Sequence, residues 1–306
     1  MNIFLEKGLG QAPRILGLCD RNPEQKTFGC FDRPYWNYKI KDIVNGRLQE
    51  GCYYLALLYT IKHDENKFYK KEKIKELALA SLKYASNIQN RDGSFNEVYP
   101  FERSFCATAF LTMHMTETML LMENKENIKI IKKAAQWLMR HSHKEVANQT
   151  AAAALALYNT FLLTQEKQFL EGCKIKIAQL LKQQKNGYYQ EYRGYDIGYQ
   201  SITMGIVLRM IQKDKKEELG LKNSIQKAYA FIEGKIGKEG HYDNTETSRK
   251  TQFVYPFIFS ERPLREEITK GLKKDKILNP AWLDDRYVIP LAIDYLETGV
   301  NIKSKE

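Results

Sequence analysis

Predicted helices that are buried on all sides alternate along this chain with predicted helices that carry a lysine-rich face. The inner, apolar helices are predicted at 46–62, 104–123, 146–164, 197–213, 248–260 and 281–298. The lysine-faced helices are predicted at 70–90, 127–143, 167–184 and 219–236, with a further helix at 263–275. A helix that is apolar all round is buried on both sides, whereas a charged face borders water. The alternation therefore predicts an all-α fold in which an inner ring of helices is wrapped by an outer ring.

Six inner helices and a repeat of roughly fifty residues are typical of an (α/α)6 toroid. Residues 46–306 are predicted to form this toroid domain, and residues 1–45 to form an irregular N-terminal arm rich in aromatic and charged residues. The arm contains Trp36 and either lies across a pocket mouth or covers helix ends. Ser104 and Ser248 are predicted to cap the helices that follow them.

A short motif, glycine followed two residues later by an aromatic residue, recurs after the lysine-faced helices. It is found in Gln89–Phe95, in Gln184–Tyr189 and in Gly237–Tyr242. Glycine suits the left-handed turn that ends a helix, and the aromatic side chain can dock on the helix pair just completed. A carboxylate follows each motif, so these loops are predicted to carry polar groups to one end of the ring.

The charge and the cysteines limit the classes of protein to which the chain can belong. Its formal charge is +11 with a pI near 9.2, which reflects either solvated helix faces or attraction to a polyanion. No nucleic-acid-binding motif is present. The five cysteines form no Cys-x-x-Cys pair or Cys/His cluster, so neither a metal nor another cofactor is expected. Without a signal peptide or an apolar run long enough to span a bilayer, a cytoplasmic protein is expected.

The polar and aromatic residues of the loops are the candidate site. His241, Tyr242, Glu97 and Glu191 are the candidate catalytic residues. The candidate ligand-binding residues are Trp36, Tyr99, Arg103, Asn148, Tyr192, Asp196, Tyr199, Arg249, Tyr255 and Asp285. Because successive inner helices of a toroid run in the same direction, we expect their loops to meet at one rim. The alternative for each is structural: a helix cap, an ion pair between loops, or a tyrosine of the core.

This mixture of residues suits a carbohydrate cleft better than an apolar cavity. Aromatic faces stack on sugar rings, while carboxylates and guanidinium groups bind hydroxyls and acidic groups. Two carboxylates across a cleft can hydrolyse a glycoside. A tyrosine or histidine base, with arginine or asparagine neutralising a uronate, can instead cleave it by β-elimination. The sequence leaves both reactions open.

The motifs also resemble those of known toroid proteins. Gln89–Phe95 is similar to the Gln-to-Asp-Gly-aromatic turns of squalene-cyclase and prenyltransferase-type toroids. The overall order, with an aromatic arm and Gly-aromatic loops before inner helices, resembles the toroid domain of heparinase II/III-type polysaccharide lyases. It also resembles uncharacterised toroid proteins encoded with bacterial surface-polysaccharide genes. The resemblance implies an (α/α)6 toroid that acts on a saccharide.

Taken together, the residues and the resemblance predict a protein that handles an acidic bacterial polysaccharide or oligosaccharide, as a lyase or hydrolase. A non-catalytic carbohydrate-binding or scaffold protein of surface-polysaccharide biosynthesis is the alternative. A terpenoid cyclase is disfavoured, because Asp284-Asp285-Arg286-Tyr287-Val288 lacks the third carboxylate of an Asp-rich box. The sugar, the linkage and the oligomeric state stay open.

Overall fold

Helices dominate the computed structural model, which describes residues 2–251, 253–262 and 265–303. Helical residues make up 59% of it, so the all-α prediction is confirmed. The helices are α1 (Ile3–Leu9), α2 (Ala12–Leu18), α3 (Arg33–Trp36), α4 (Gly51–Thr60), α5 (Glu72–Asn87), α6 (Phe105–Leu121), α7 (Ile128–Arg140), α8 (Ala147–Thr164), α9 (Lys167–Lys182), α10 (Ile197–Lys213), α11 (Lys222–Glu233), α12 (Glu266–Lys273) and α13 (Asp285–Lys303). Single 3-10 turns cover Gly46–Glu50, Pro256–Phe259 and Pro280–Trp282. The antiparallel strands β1 (Gln184–Lys185) and β2 (Tyr188–Tyr189) flank one Gly-aromatic turn. No described helix is long and apolar enough to cross a membrane.

The inner segments contact one another in a closed series. Helix α4 packs on α6, α6 on α8, and α8 on α10. Helix α10 then packs on the 3-10 turn Pro256–Phe259, which packs on α13, and α13 returns to α4. The alanine-rich helix α8 is buried along almost its whole length, because small side chains let its neighbours approach closely. The lysine-rich helices α5, α7, α9 and α11 pack outside α4, α6, α8 and α10.

The prediction of an inner helix over 248–260 is wrong for the residues that the structure describes. Residues 253–255 are extended, and only Pro256–Phe259 makes a helical turn. Proline lacks an N–H donor and disfavours a helical residue before it. The Tyr255 N–H instead donates to Ser201 Oγ at 2.8 Å, and the Phe257 N–H donates to Asp294 Oδ2 at 2.8 Å. Residues 248–251 are not helical, so Ser248 caps no helix, whereas Ser104 caps α6 as predicted.

The irregular arm predicted for residues 1–45 is also corrected, because α1, α2 and α3 lie within it. Asn2 caps α1 by accepting hydrogen bonds from the Phe4 and Leu5 amides. The side-chain amide nitrogen of Asn2, Nδ2, donates to the Gly299 carbonyl at 2.8 Å, so α1 is tied to α13. Leu5 packs so closely on Gly299 that a methyl group there would lie 2.5 Å from Leu5 Cγ. The N-terminal residues therefore cover α13. Local sequence periodicity cannot predict this contact, because its partners are almost three hundred residues apart.

The Gly-aromatic loops that follow α5 and α9 pack against the next lysine-rich helix in the chain. Gly93 has a φ of +102°, and a Cβ there would lie 2.5 Å from the Lys133 carbonyl oxygen of α7. Gly187 lies against α11 in the same way. The Phe95 ring is fully buried, and the backbone N–H of Phe95 donates to Thr108 Oγ1 of α6 at 2.9 Å. A further copy of the motif at Gly29, missed in the sequence, lies against α5.

We expect Gly93→Ala to lower the free energy of unfolding by about 3 kcal/mol, from a strained φ together with a backbone clash. Gly220→Ala is the matched control, because Gly220 has a φ of +65° and no atom lies within 4 Å of the position that the new methyl group would take. It should cost only about 1 kcal/mol of left-handed strain. Urea unfolding measures both variants, and equal losses would mean that the contact with α7 contributes nothing.

Candidate functional site

A cavity of about 260 Å³ lies at the centre of the inner segments. Charged and aromatic side chains line it together with aliphatic residues such as Leu155, Ile202, Ile206 and Ile293. Seven of the predicted site residues contribute to its wall: Glu97, Asn148, Glu191, Tyr192, Tyr199, Arg249 and Tyr255. They come from positions far apart in sequence, so the loops that carry them meet at this cavity.

The predicted catalytic pair His241 and Tyr242 lies outside the cavity, which corrects the expectation of one shared site. The Gly240 turn folds residues 237–242 back on themselves, with the Gly237 N–H donating to the His241 carbonyl at 2.9 Å. His241 is exposed. The Tyr242 ring enters a separate hollow of about 40 Å³ beside Arg262, and burial raises the pKa of its hydroxyl. The turn therefore directs this pair away from the main cavity.

Five predicted binding residues also lie elsewhere. Trp36 donates its indole N–H to the Leu18 carbonyl at 2.8 Å and so anchors the N-terminal segment. Arg103 pairs with Asp92 at 3.4 Å, and Asp285 pairs with Arg14 at 2.7 Å. Both pairs are on the surface. Tyr99 is 68% exposed, and Asp196 is fully buried as the N-cap of α10. The charged groups found partners in neighbouring loops, which is the structural alternative for such residues.

Glu191 forms one wall of the cavity and is almost fully buried. Its Oε1 accepts from Arg249 Nη1 at 3.0 Å, and its Oε2 accepts from Asn148 Nδ2 at 2.7 Å. Bridges to Val146 and Gly194 hold its backbone. Burial raises the pKa of Glu191 to about 7, against the opposing effects of Arg249 and Asn148. Near neutral pH this carboxyl therefore exists in both protonation states.

Arg249 lies at the mouth of the cavity between two tyrosine rings. Its guanidinium carbon is 4.9 Å from the Tyr192 ring centre and 4.7 Å from that of Tyr199. Its Nη2 also donates to the Tyr199 hydroxyl at 3.3 Å. These two cation–π contacts and the hydrogen bond restrict the position of the guanidinium.

The sequence prediction missed His114, which lines the cavity from the middle of α6. Its Nδ1 is 2.9 Å from the Phe110 carbonyl oxygen and 3.4 Å from Glu50 Oε2. Burial lowers the pKa of His114, so the imidazole is neutral. Because a carbonyl only accepts, we assign the proton to Nδ1, which leaves the Nε2 lone pair unprotonated. The available signal was a histidine, with Glu117 three residues later, in a helix whose other residues are apolar or threonine.

Arg209 forms the floor of the cavity together with two carboxylates of α13, which the sequence prediction also missed. Its Nη2 donates to Asp294 Oδ1 at 2.7 Å, and its Nε donates to Glu297 Oε2 at 3.0 Å. The Tyr53 hydroxyl donates to the other Glu297 oxygen at 2.9 Å. Burial raises the pKa of Asp294 to about 6. Asp294 and Glu297 are three residues apart and lie on one face of α13. A buried pair of acids could therefore have been predicted from the apolar sequence of that helix.

The cavity offers donors, acceptors and aromatic rings on opposing walls, an arrangement that suits a ligand rich in hydroxyl groups. Among residues 2–251, 253–262 and 265–303, no group of three His, Cys, Asp or Glu side chains is placed to bind a metal ion. Comparisons with protein-family models, curated proteins and solved structures found no match to this chain. The chemistry of the cavity is therefore the basis for inferring its function.

Proposed function

We propose that this chain is an (α/α)6 toroid whose central cavity binds a unit of an acidic polysaccharide or oligosaccharide and cleaves its glycosidic bond. The closed series of contacts from α4 through α13 and back to α4 supports the toroid. The opposing polar and aromatic walls support a saccharide ligand. The five cysteines are free thiols, which supports a reducing compartment such as the cytoplasm.

The proposal rests on one observation, the buried position and raised pKa of Glu191 in the cavity wall. Glycoside cleavage requires a proton donor for the leaving oxygen, and the best donor has a pKa near the working pH. Glu191 is buried in the cavity wall with a pKa raised to about 7. Asn148 and Arg249 hold its two oxygens in fixed positions. Such a carboxyl is suited to act as a general acid, in hydrolysis and in β-elimination alike.

The partner of this acid differs between the two reactions. In β-elimination the neutral imidazole of His114 would accept the proton α to the uronate carboxylate at its unprotonated Nε2. In hydrolysis a carboxylate such as Asp294 or Glu297 would activate water or attack the sugar. Both of those carboxylates are already held by Arg209. The uncommitted lone pair of His114 therefore favours elimination.

Binding without catalysis is the second candidate function. Its support is that the carboxylates of the cavity wall pair with basic side chains, as Glu97 does with Arg286 and Glu117 with Lys213. A paired carboxylate still accepts hydrogen bonds from sugar hydroxyls, but it is a weaker base. A scaffold or carbohydrate-binding protein would need nothing more.

The test is incubation with hyaluronan, polygalacturonate, alginate and neutral dextran, followed by product analysis. Unsaturated, ultraviolet-absorbing ends indicate elimination, whereas new reducing ends without that absorbance indicate hydrolysis. Binding with neither product indicates the second function. We expect Glu191→Gln to lower kcat by about 10²–10⁴-fold. His114→Gln should have a similar effect only in elimination.

The exposed Glu126→Gln serves as the matched control and should keep full activity. Wild-type turnover by Glu191→Gln would exclude the proposed acid. A protein that neither binds nor cleaves any acidic glycan would refute the proposed function as a whole.

A further inference from the structure

Arg249 differs from the other arginines of the cavity in the donors that it leaves for a ligand. Arg209 is held by two carboxylates, with its side chain 11% exposed, and Arg47 is paired with a fully buried carboxylate. The side chain of Arg286 is 33% exposed and paired with Glu97, much like that of Arg249, but its Nε is buried, so that donor is closed to a ligand. The side chain of Arg249 is 34% exposed, and among the described residues Glu191 is its one carboxylate partner. Its Nη1 and Nη2 each make one hydrogen bond, and a guanidinium has five N–H groups.

The surroundings of Arg249 hold it ready for a planar acidic group. The rings of Tyr192 and Tyr199 both contact the guanidinium, and its bonds to Glu191 and the Tyr199 hydroxyl use only two of its five N–H groups. Carboxylates bind arginine edge-on through two parallel hydrogen bonds. A carboxylate that enters the cavity mouth therefore meets a fixed fork of donors.

A second carboxylate at Arg249 would create a charge conflict with Glu191. Two negative charges would then share one guanidinium, and Asp196, at the start of α10, adds repulsion from the same side. The other groups around Glu191 are Asn148 of α8 and Tyr199 of α10, and both are uncharged. One proton on Glu191 removes the conflict, and Asn148 can still donate to the carbonyl oxygen of the protonated acid.

On the basis of the proposed function, we infer that Arg249 recognises the carboxylate of a uronate ligand by exchanging it for Glu191, which takes up one proton as the ligand binds. The ion pair between Arg249 and Glu191 breaks, the pair between Arg249 and the ligand forms, and the proton comes from solvent. Recognition would thereby generate the protonated Glu191 that cleavage requires. Uronates are thus the substrate class, and the corresponding neutral sugars lack the group that drives the exchange.

The sign of the pH dependence follows from proton uptake. The complex holds one more proton than the free protein, so its formation is disfavoured wherever free Glu191 is ionised. The free group has a pKa of about 7. Affinity for a uronate should therefore be flat well below pH 7 and fall by about tenfold per pH unit above it. A neutral sugar should bind with no such slope.

Calorimetric titration of the full chain with D-glucuronate and D-glucose tests the exchange, between pH 5.5 and pH 8.5 in buffers of different ionisation enthalpy. We expect glucuronate binding to take up close to one proton at pH 8 and glucose binding to take up none. Glu191→Gln should remove the slope and keep the preference for glucuronate. Arg249→Met should remove the preference, while Arg193→Met, which changes an exposed arginine on the loop that carries Glu191, should retain both the preference and the slope.

The outcomes separate this inference from the proposed function. Equal, pH-independent binding of both sugars would overturn the exchange and leave the saccharide site standing. Preference for glucuronate that survives Arg249→Met would place the acidic group elsewhere and also overturn it. Failure of both sugars, and of the polymers above, would refute the saccharide site and the exchange together. Circular dichroism of each variant confirms that it is folded.

Discussion

Arg209→Met should lower the free energy of unfolding by about 4 kcal/mol at pH 8, because it leaves two buried carboxylates without their counter-ion. Arg209 joins α10 to α13 through Asp294 and Glu297, and its guanidinium lies 3.8 Å from the Phe257 ring centre. Asp294 also accepts the Phe257 N–H, so the same carboxylate holds the 3-10 turn of the inner series. Urea unfolding followed by circular dichroism measures the loss.

The pH dependence identifies the cause of that loss. Burial already raises the pKa of Asp294 to about 6, and removal of the guanidinium raises it further. The deficit of Arg209→Met should therefore be largest at pH 8 and shrink as the pH falls towards about 6, because the stranded Asp294 carboxyl of the variant takes up its proton over that range. A deficit that is constant with pH would instead indicate lost packing on Phe257.

Two further variants serve as controls for the Arg209 prediction. The triple variant R209M/D294N/E297Q carries no stranded charge and should recover much of the stability, since neutral replacements of a buried ion cluster are often tolerated. Lys222→Met breaks a pair with Glu217 in which both side chains are more than half exposed, so unfolding should hardly change. An Arg209→Met protein as stable as Lys222→Met would contradict the prediction.

Asp196→Ala should lower the free energy of unfolding by about 3 kcal/mol and should also affect the site. Asp196 caps α10 by accepting the Tyr199 N–H at 3.1 Å. It also accepts from Thr247 Oγ1 at 2.9 Å and from the Thr251 N–H at 3.1 Å. These bonds hold the loop that carries Arg249, so the variant should also bind the saccharide more weakly. Each donor left buried without a partner adds to the cost.

Hydrogen exchange and a matched substitution test the role of Asp196. The Thr251 amide should exchange faster in Asp196→Ala, while the amides of α8 remain protected. Asp196→Asn keeps one acceptor for the cap and should recover part of the stability. Asp243→Ala removes an exposed acid that bonds only within its own turn to Thr245, and it should leave stability unchanged. Slow Thr251 exchange in Asp196→Ala would show that the loop has other anchors.

Local patterns predicted most of the helices because their signals involve neighbouring residues. The alanine-rich stretch in α8 is apolar all round and is buried as predicted. The Ser104 cap and the glycine at 93 concern a single turn of chain, and both hold. The same reasoning failed at Ser248, whose sequence is compatible with a cap but whose following residues bond to α10 and α13 instead. The spacing of apolar residues in the sequence cannot reveal hydrogen-bond acceptors that lie on distant helices.

The candidate site divides in the same way. By itself, the sequence determined which loops are polar, and the carboxylate after the second Gly-aromatic motif, Glu191, does reach the cavity. It did not determine which loop residues turn inward, because the direction depends on a tertiary partner. His241 is turned outward by a glycine turn that packs on α12, and Arg249 is held inward by the bonds of Asp196. Nor did it determine the floor, since a buried acid such as Asp294 is stable only beside Arg209, eighty-five positions away. Burial of charge requires compensation, and only the tertiary structure brings the compensating groups together.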